Sequence, residues 1–139
     1  MADTATTSRE LHCVVVTPER ALLDEPADFI ALPLYDGELG VLPGHSPLVA
    51  RLGFGELRTR RSGQVVRYFV DGGFVQLRDD VATLLTSRAL PASEIDPEAV
   101  EAELQKARER VARTDAERTE VETALARGRA QLRMAERAS

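Results

Sequence analysis

The chain has 139 residues, 43% of them hydrophobic but only 4% aromatic, and it carries a formal net charge of -5. That length suits one domain with an appendage, and the composition requires a core of Val, Leu, Ile and Ala. The acidic balance argues against nucleic acid or an anionic membrane surface as the main partner.

Residues 1–9 read as a disordered tail, without the apolar segment of a secretory signal. No apolar run approaches the ~18 residues that span a bilayer. Residues 11–17 are rich in Val and read as a strand. Cys13, the only cysteine, lies in it as a buried, inert thiol, so no internal disulfide forms and a reducing compartment is the simplest context. A short strand begins at Leu22 and another covers 29–34. The segment 37–48 then concentrates Gly37, Gly40, Gly44, Pro43, Pro47 and His45. Glycine admits positive φ and proline fixes φ. We read this segment as one loop of fixed shape, with a plain strand connection as the alternative.

Strands follow at 48–52, 57–60, 65–70, 74–78 and 81–87. Gly53-Phe54-Gly55 reads as a bend, Arg61-Ser62-Gly63-Gln64 and Asp79-Asp80 as hairpin turns, and Asp71-Gly72-Gly73 as a further tight turn. Alternation puts Val66, Tyr68 and Val70 on one face and Val65, Arg67 and Phe69 on the other. Many short strands argue for a sandwich or barrel.

The pattern changes near residue 95. Asp96 before Pro97 forms a helix start, and Val100, Leu104, Ala107 and Val111 recur at helical spacing. Thr114 with Glu117 has the form of a capping box. Val121, Leu125, Gly128, Leu132 and Ala135 continue on a second helix. The expected fold class is therefore α+β: an all-β sandwich over 10–92, then an antiparallel two-helix hairpin over 93–139, with helices near 97–112 and 116–137. The apolar stripe of the hairpin holds few large side chains. Burying one contributes about 1.5–3 kcal/mol, while ordering each residue costs about 1–2 kcal/mol. The hairpin should therefore pack weakly and be detachable; a permanently docked cap is the alternative. Gly128 lies on the stripe, where another backbone could approach closely.

Catalytic constellations are missing from the sequence. His12 and His45 are the only histidines, too few for a transition-metal site without cysteines. Asp36 with Glu38, and Asp79 with Asp80, read as turn residues. Arg127, Arg129, Arg133 and Arg137 gather towards the C-terminus. The helix dipole favours cations there, and a basic patch for an acidic partner is the functional reading.

The run GELGVLPGHSPLVA from Gly37 to Ala50, Val70-Asp71-Gly72-Gly73-Phe74-Val75 and Ala130-Gln131-Leu132-Arg133 together resemble the epsilon subunit of F-type ATP synthases, over residues 10–138. The resemblance implies a non-catalytic rotor subunit with no cofactor, joining the gamma subunit to the c-ring and inhibiting ATP hydrolysis through its helices. It places Gly37, Glu38, Leu39 and Gly40 at the c-ring, and Pro43, Gly44 and His45 towards gamma. Arg127, Arg129 and Arg133 would meet the beta subunits of the alpha/beta catalytic head when the hairpin extends. Some members bind ATP at the folded hairpin through Ile/Leu-Asp-x-x-Arg-Ala. Here Ile95-Asp96 is present but Ala99 replaces the arginine, so the resemblance implies no ATP site. The implied location is peripheral, on the cytoplasmic face of a bacterial inner membrane. The rival readings are a stand-alone ligand-binding sandwich with a fixed helical cap, and an enzyme using Glu38 or His45.

Overall fold

The computed structural model describes residues 10–138; the expected N-terminal tail lies outside them. Eight strands come first: β1 Leu11–Val16, β2 Ala21–Ala27, β3 Phe29–Leu34, β4 Gly37–Val41, β5 Leu48–Arg61, β6 Gln64–Arg78, β7 Val81–Leu85 and β8 Ala89–Pro91. A 3-10 turn at Ala92–Glu94 leads to helices α1, Pro97–Glu109, and α2, Asp115–Ala138. The strand order is β2-β1-β7-β6-β5-β3-β4, and β8 pairs with β6. β1 runs parallel to β7, while the other pairings are antiparallel. The sheet closes over one core as a β-sandwich.

Alternation builds that core. Leu11, Cys13 and Val15 of β1 point inward and are fully buried, as are Leu77 of β6 and Leu84 of β7 or nearly so. Both β5–β6 and β6–β7 close on tight turns with positive φ at each central residue: Ser62 and Gly63 in the first, Asp79 and Asp80 in the second. That backbone twist matches paired strands. Pro33 donates no ladder hydrogen bond and falls in the register irregularity between Ala31 and Leu34, where β3 parts from β5.

Three local expectations change. The segment read as one loop is divided. Gly37–Val41 pairs along β3 as a strand, and the turn is confined to Pro43-Gly44. The bend at Gly53-Phe54-Gly55 and the turn at Asp71-Gly72-Gly73 are not breaks. β5 and β6 continue through them in unchanged register, Leu52 opposite Gly73 and Phe54 opposite Asp71. Gly73 has φ +109°, and a Cβ there would lie 2.0 Å from the Leu85 carbonyl oxygen. Glycine here lets β6 press against β7, with pairing on both sides holding the strand together.

The helices dock against one another and onto the sandwich. Asp96 caps α1, its Oδ1 accepting from the Glu98 amide at 3.1 Å, with Pro97 following. Thr114 Oγ1 accepts from the Glu117 amide at 3.1 Å and so caps α2. α1 ends at Glu109, short of the expected 112, because Arg110 turns extended; α2 begins one residue earlier and ends one later than expected. The pairs Leu104 with Gly128 and Arg110 with Glu120 run in opposite directions along the chain, so the helices are antiparallel.

A second core joins hairpin to sandwich. It comprises Phe69 of β6, Ala92, Ile95, Val100, Leu104, Ala130 and Met134. Tyr68 and Val70 pack on the first core while Phe69 faces the helices. The few large anchors on the hairpin thus meet a fully buried phenylalanine supplied by the sheet. What approaches Gly128 is a side chain rather than a backbone: its missing Cβ would lie 2.6 Å from Leu104 Cδ2.

Candidate functional site

β4 is an edge strand, and it carries the first group of expected site residues. Gly37, Glu38 and Gly40 are exposed along it and Leu39 is half-buried. Glu38 Oε2 lies 3.6 Å from Arg58 Nη1 of β5, two strands along the same sheet. Beyond the far end of β4, the Gly44 amide donates to Asp80 Oδ1 at 2.7 Å, and the His45 amide donates to the Leu42 carbonyl at 3.2 Å. Pro43, Gly44 and His45 are thereby tied to the β6–β7 turn. His45 Nδ1 contacts the Ser46 carbonyl oxygen at 2.8 Å, a local bond without a carboxylate. The first group thus makes up most of β4, and the second follows its C-terminal end, held by the β6–β7 turn.

Glu38 opens a chain of charge that ends on α2. Arg58 also donates to Glu56 Oε1 at 3.1 Å, and Arg137 of α2 donates to the same oxygen at 3.2 Å. Arg67 Nε adds charge 3.5 Å from Glu56 Oε2. The Glu56 side chain is only 6% exposed, so its charge needs these partners. A second ion pair crosses the seam: Arg127 Nε lies 3.0 Å from Asp71 Oδ2. The N–H is not aimed at the oxygen, so the attraction is between charges rather than through a formed hydrogen bond. Arg127 also covers the Phe54 ring at 5.5 Å.

The expected arginine trio is divided as well. Arg127 pairs with Asp71, whereas Arg129 and Arg133 line the seam beside Tyr35 and Arg51, and Arg133 also lines a second cavity with Gly37, Glu38, Glu56 and Arg137. Arg137 was read as part of the C-terminal basic patch but not as a contact with beta, and Arg51 was not singled out. Spacing alone gives no hint that a residue in β5 and one at the end of α2 share a boundary.

Ile95, Asp96 and Ala99 line a small cavity with Arg88, Glu94 and Glu103. Three carboxylates against one guanidinium offer poor surroundings for a phosphate. Among the described residues no group of three or more His, Cys, Asp or Glu could hold a metal ion, and no helix is long and apolar enough to cross a membrane. Burial pushes the Cys13 thiol from its ordinary 9.0 up to about 12, the opposite of what a thiolate nucleophile requires.

The fold and site define a two-part protein: a sandwich with an exposed edge strand, and a helical hairpin held to it by a separate core and two ion pairs. The family model described as "ATP synthase, Delta/Epsilon chain, beta-sandwich domain" matches residues 10–92. The chain is 46% identical to the ATP synthase epsilon chain of Rhodopirellula baltica, covering 88% of this chain and 96% of that one. It is 39% identical to the epsilon chain of Symbiobacterium thermophilum, over 91% and 93%. A chain of the Euglena gracilis mitochondrial ATP synthase F1/c-ring structure superposes with TM-score 0.78 at 28% identity, over 94% of this chain and 81% of that one. The chain belongs to the ATP synthase epsilon-chain family.

Proposed function

We propose that this protein is a non-catalytic central-stalk subunit of a rotary ATP synthase, joining gamma to the c-ring and restraining ATP hydrolysis through its hairpin. Family membership supports the assignment to the complex, and so does the likeness to a chain of an F1/c-ring assembly. The edge strand offers Gly37, Glu38, Leu39 and Gly40 to the c-ring loops. Pro43, Gly44 and His45 would face gamma. In the extended state Arg127, Arg129 and Arg133 would meet acidic beta-subunit surfaces of the alpha/beta head. The location is peripheral to the membrane, on the cytoplasmic face in a bacterium. No nucleotide is assigned to the Ile95-Asp96 cavity, since Ala99 supplies no guanidinium.

The observation that carries the regulatory part is the separation of the two cores. The sandwich core contains no residue of either helix, so the hairpin can leave without opening it. A switch needs such a pair of states a few kcal/mol apart. The ion pairs bias the docked state and are partly exposed to solvent.

The test compares ATP hydrolysis by the matching catalytic head with gamma, carrying either the full chain or a chain ended after Ile95. A faster rate with the shortened chain, gamma binding retained, is expected. An unchanged rate with binding retained makes the hairpin a scaffold. Loss of gamma binding by the full chain overturns the assignment.

A further inference from the structure

One nitrogen of Arg58 is shared between the β4 edge and the seam. Its Nη1 lies 3.6 Å from Glu38 Oε2 and 3.1 Å from Glu56 Oε1, and Arg137 of α2 donates to that same Glu56 oxygen at 3.2 Å. Glu38 and Glu56 also line, with Arg133 and Arg137, a cavity of about 230 Å3 that reaches from β4 to α2. The edge carboxylate is thus joined to the helix arginines through one intervening ion pair. Its side chain is 55% exposed, and a Cβ at the neighbouring Gly37 would meet nothing within 4 Å. A partner at this edge can therefore reach it.

The charges fix the direction of the effect. The sandwich brings two carboxylates, Glu38 and Glu56, and two guanidiniums, Arg58 and Arg67, to this cluster. That group is formally neutral before α2 docks, and Arg133 and Arg137 of α2 then add positive charge. With Glu38 neutralised, the sandwich side carries an excess cation that opposes both helix arginines. Arg58 is also released to Glu56 alone, where it competes with Arg137 for Oε1. Both changes disfavour docking.

We propose that Glu38 is a positioning residue for the docked hairpin, and that a cationic group of a partner protein bound at the β4 edge takes it from the cluster and loosens the helices. The hairpin is the two-state element, and the edge and the seam both bias it. The coupling is reciprocal, so the undocked chain holds the cation more tightly. Taking the c-ring as that partner rests on the function proposed above; the coupling within the chain does not.

Hydrogen exchange of the full chain at low ionic strength tests the coupling. Glu38→Gln should speed exchange across 97–138 about threefold, the effect of one charge acting through partly solvated surroundings, and leave the sandwich strands unchanged. Raising the salt to about 1 M, where the screening length is about 3 Å, should remove most of that difference. Asp36→Asn, which neutralises an exposed carboxylate outside the cluster, should change nothing. Arg137→Gln should speed exchange by itself, and adding Glu38→Gln to it should have a smaller effect than in the parent chain. Trilysine stands in for the partner's cations: it should speed exchange across 97–138 in the parent and do little to the Glu38→Gln chain. The proposal fails if Glu38→Gln leaves the helices unchanged or acts no more than Asp36→Asn. It fails equally if the effect of Glu38→Gln is undiminished beside Arg137→Gln, or if trilysine acts alike on both chains. These readouts need neither catalytic head nor c-ring, so they stand apart from the hydrolysis test.

Discussion

Arg127 Nε of the second helix lies 3.0 Å from Asp71 Oδ2 in the middle of β6, and the Asp71 side chain is only 8% exposed. The aspartate sits where β6 passes between its two partners, the Ala89–Pro91 and Val81–Leu85 strands. The residue that anchors the docked helix is thus one the extended hairpin would offer to a partner. Under the proposed function, docking and inhibition would compete for the same guanidinium.

Arg127→Ala with Arg137→Ala should release the hairpin without unfolding the sandwich. Each substitution leaves a nearly buried carboxylate short of a cation. Both arginines are more than a third exposed, so solvent screening limits the loss to about 1–2 kcal/mol each. Faster hydrogen exchange confined to 97–138 checks this. Equal acceleration in the sandwich strands would contradict it.

Phe69→Ala should weaken docking more strongly. Removing a fully buried phenylalanine costs about 3–5 kcal/mol, and the other buried members of its cluster come from the two helices and the segment just before them. Proteolysis in the connection 110–114 should accelerate. Leu84→Ala, which cuts the sandwich core instead, should lower the main thermal transition and expose both parts together.

Gly128→Ala should destabilise the hairpin despite alanine's helix preference of about 1 kcal/mol. The new methyl meets Leu104, which is 1% exposed and has little room to move. Overpacking of this kind costs about 1–3 kcal/mol. Combining it with Leu104→Val should recover part of the loss, measured by thermal denaturation of the single and double variants.

Cys13 makes the fold sensitive to alkali. Its thiol is held protonated up to about pH 12 in the folded chain, against 9.0 ordinarily. Between those values the unfolded chain releases a proton that the folded chain keeps. Stability therefore falls as pH rises, by about 1.4 kcal/mol per pH unit from this group. Cys13→Ala should flatten the denaturation midpoint over that window relative to the parent. Native Cys13 should also alkylate far more slowly than in denaturant.

Much of this was legible locally. A run of valines identified β1, and period-two alternation identified the two faces of β6. Ser62-Gly63 and Asp79-Asp80 marked the hairpin turns, and Asp96-Pro97 and Thr114 marked the helix starts. Each signal depends on the conformations open to a few neighbouring residues, so the sequence by itself determined the strand-then-helix order and the buried state of Cys13. The tertiary structure decided what depends on distant partners. Gly37–Val41 is a strand because β3 supplies its ladder. Asp71-Gly72-Gly73 stays inside a strand because β5, β7 and β8 hold β6 along its length. Phe69 is an anchor because the helices cover its face, and Arg127 meets Asp71 while Arg137 meets Glu56 because the strands beneath them differ. Local propensity carries no record of which surface will lie opposite; only closing the chain over long loops brings those charges and cavities together.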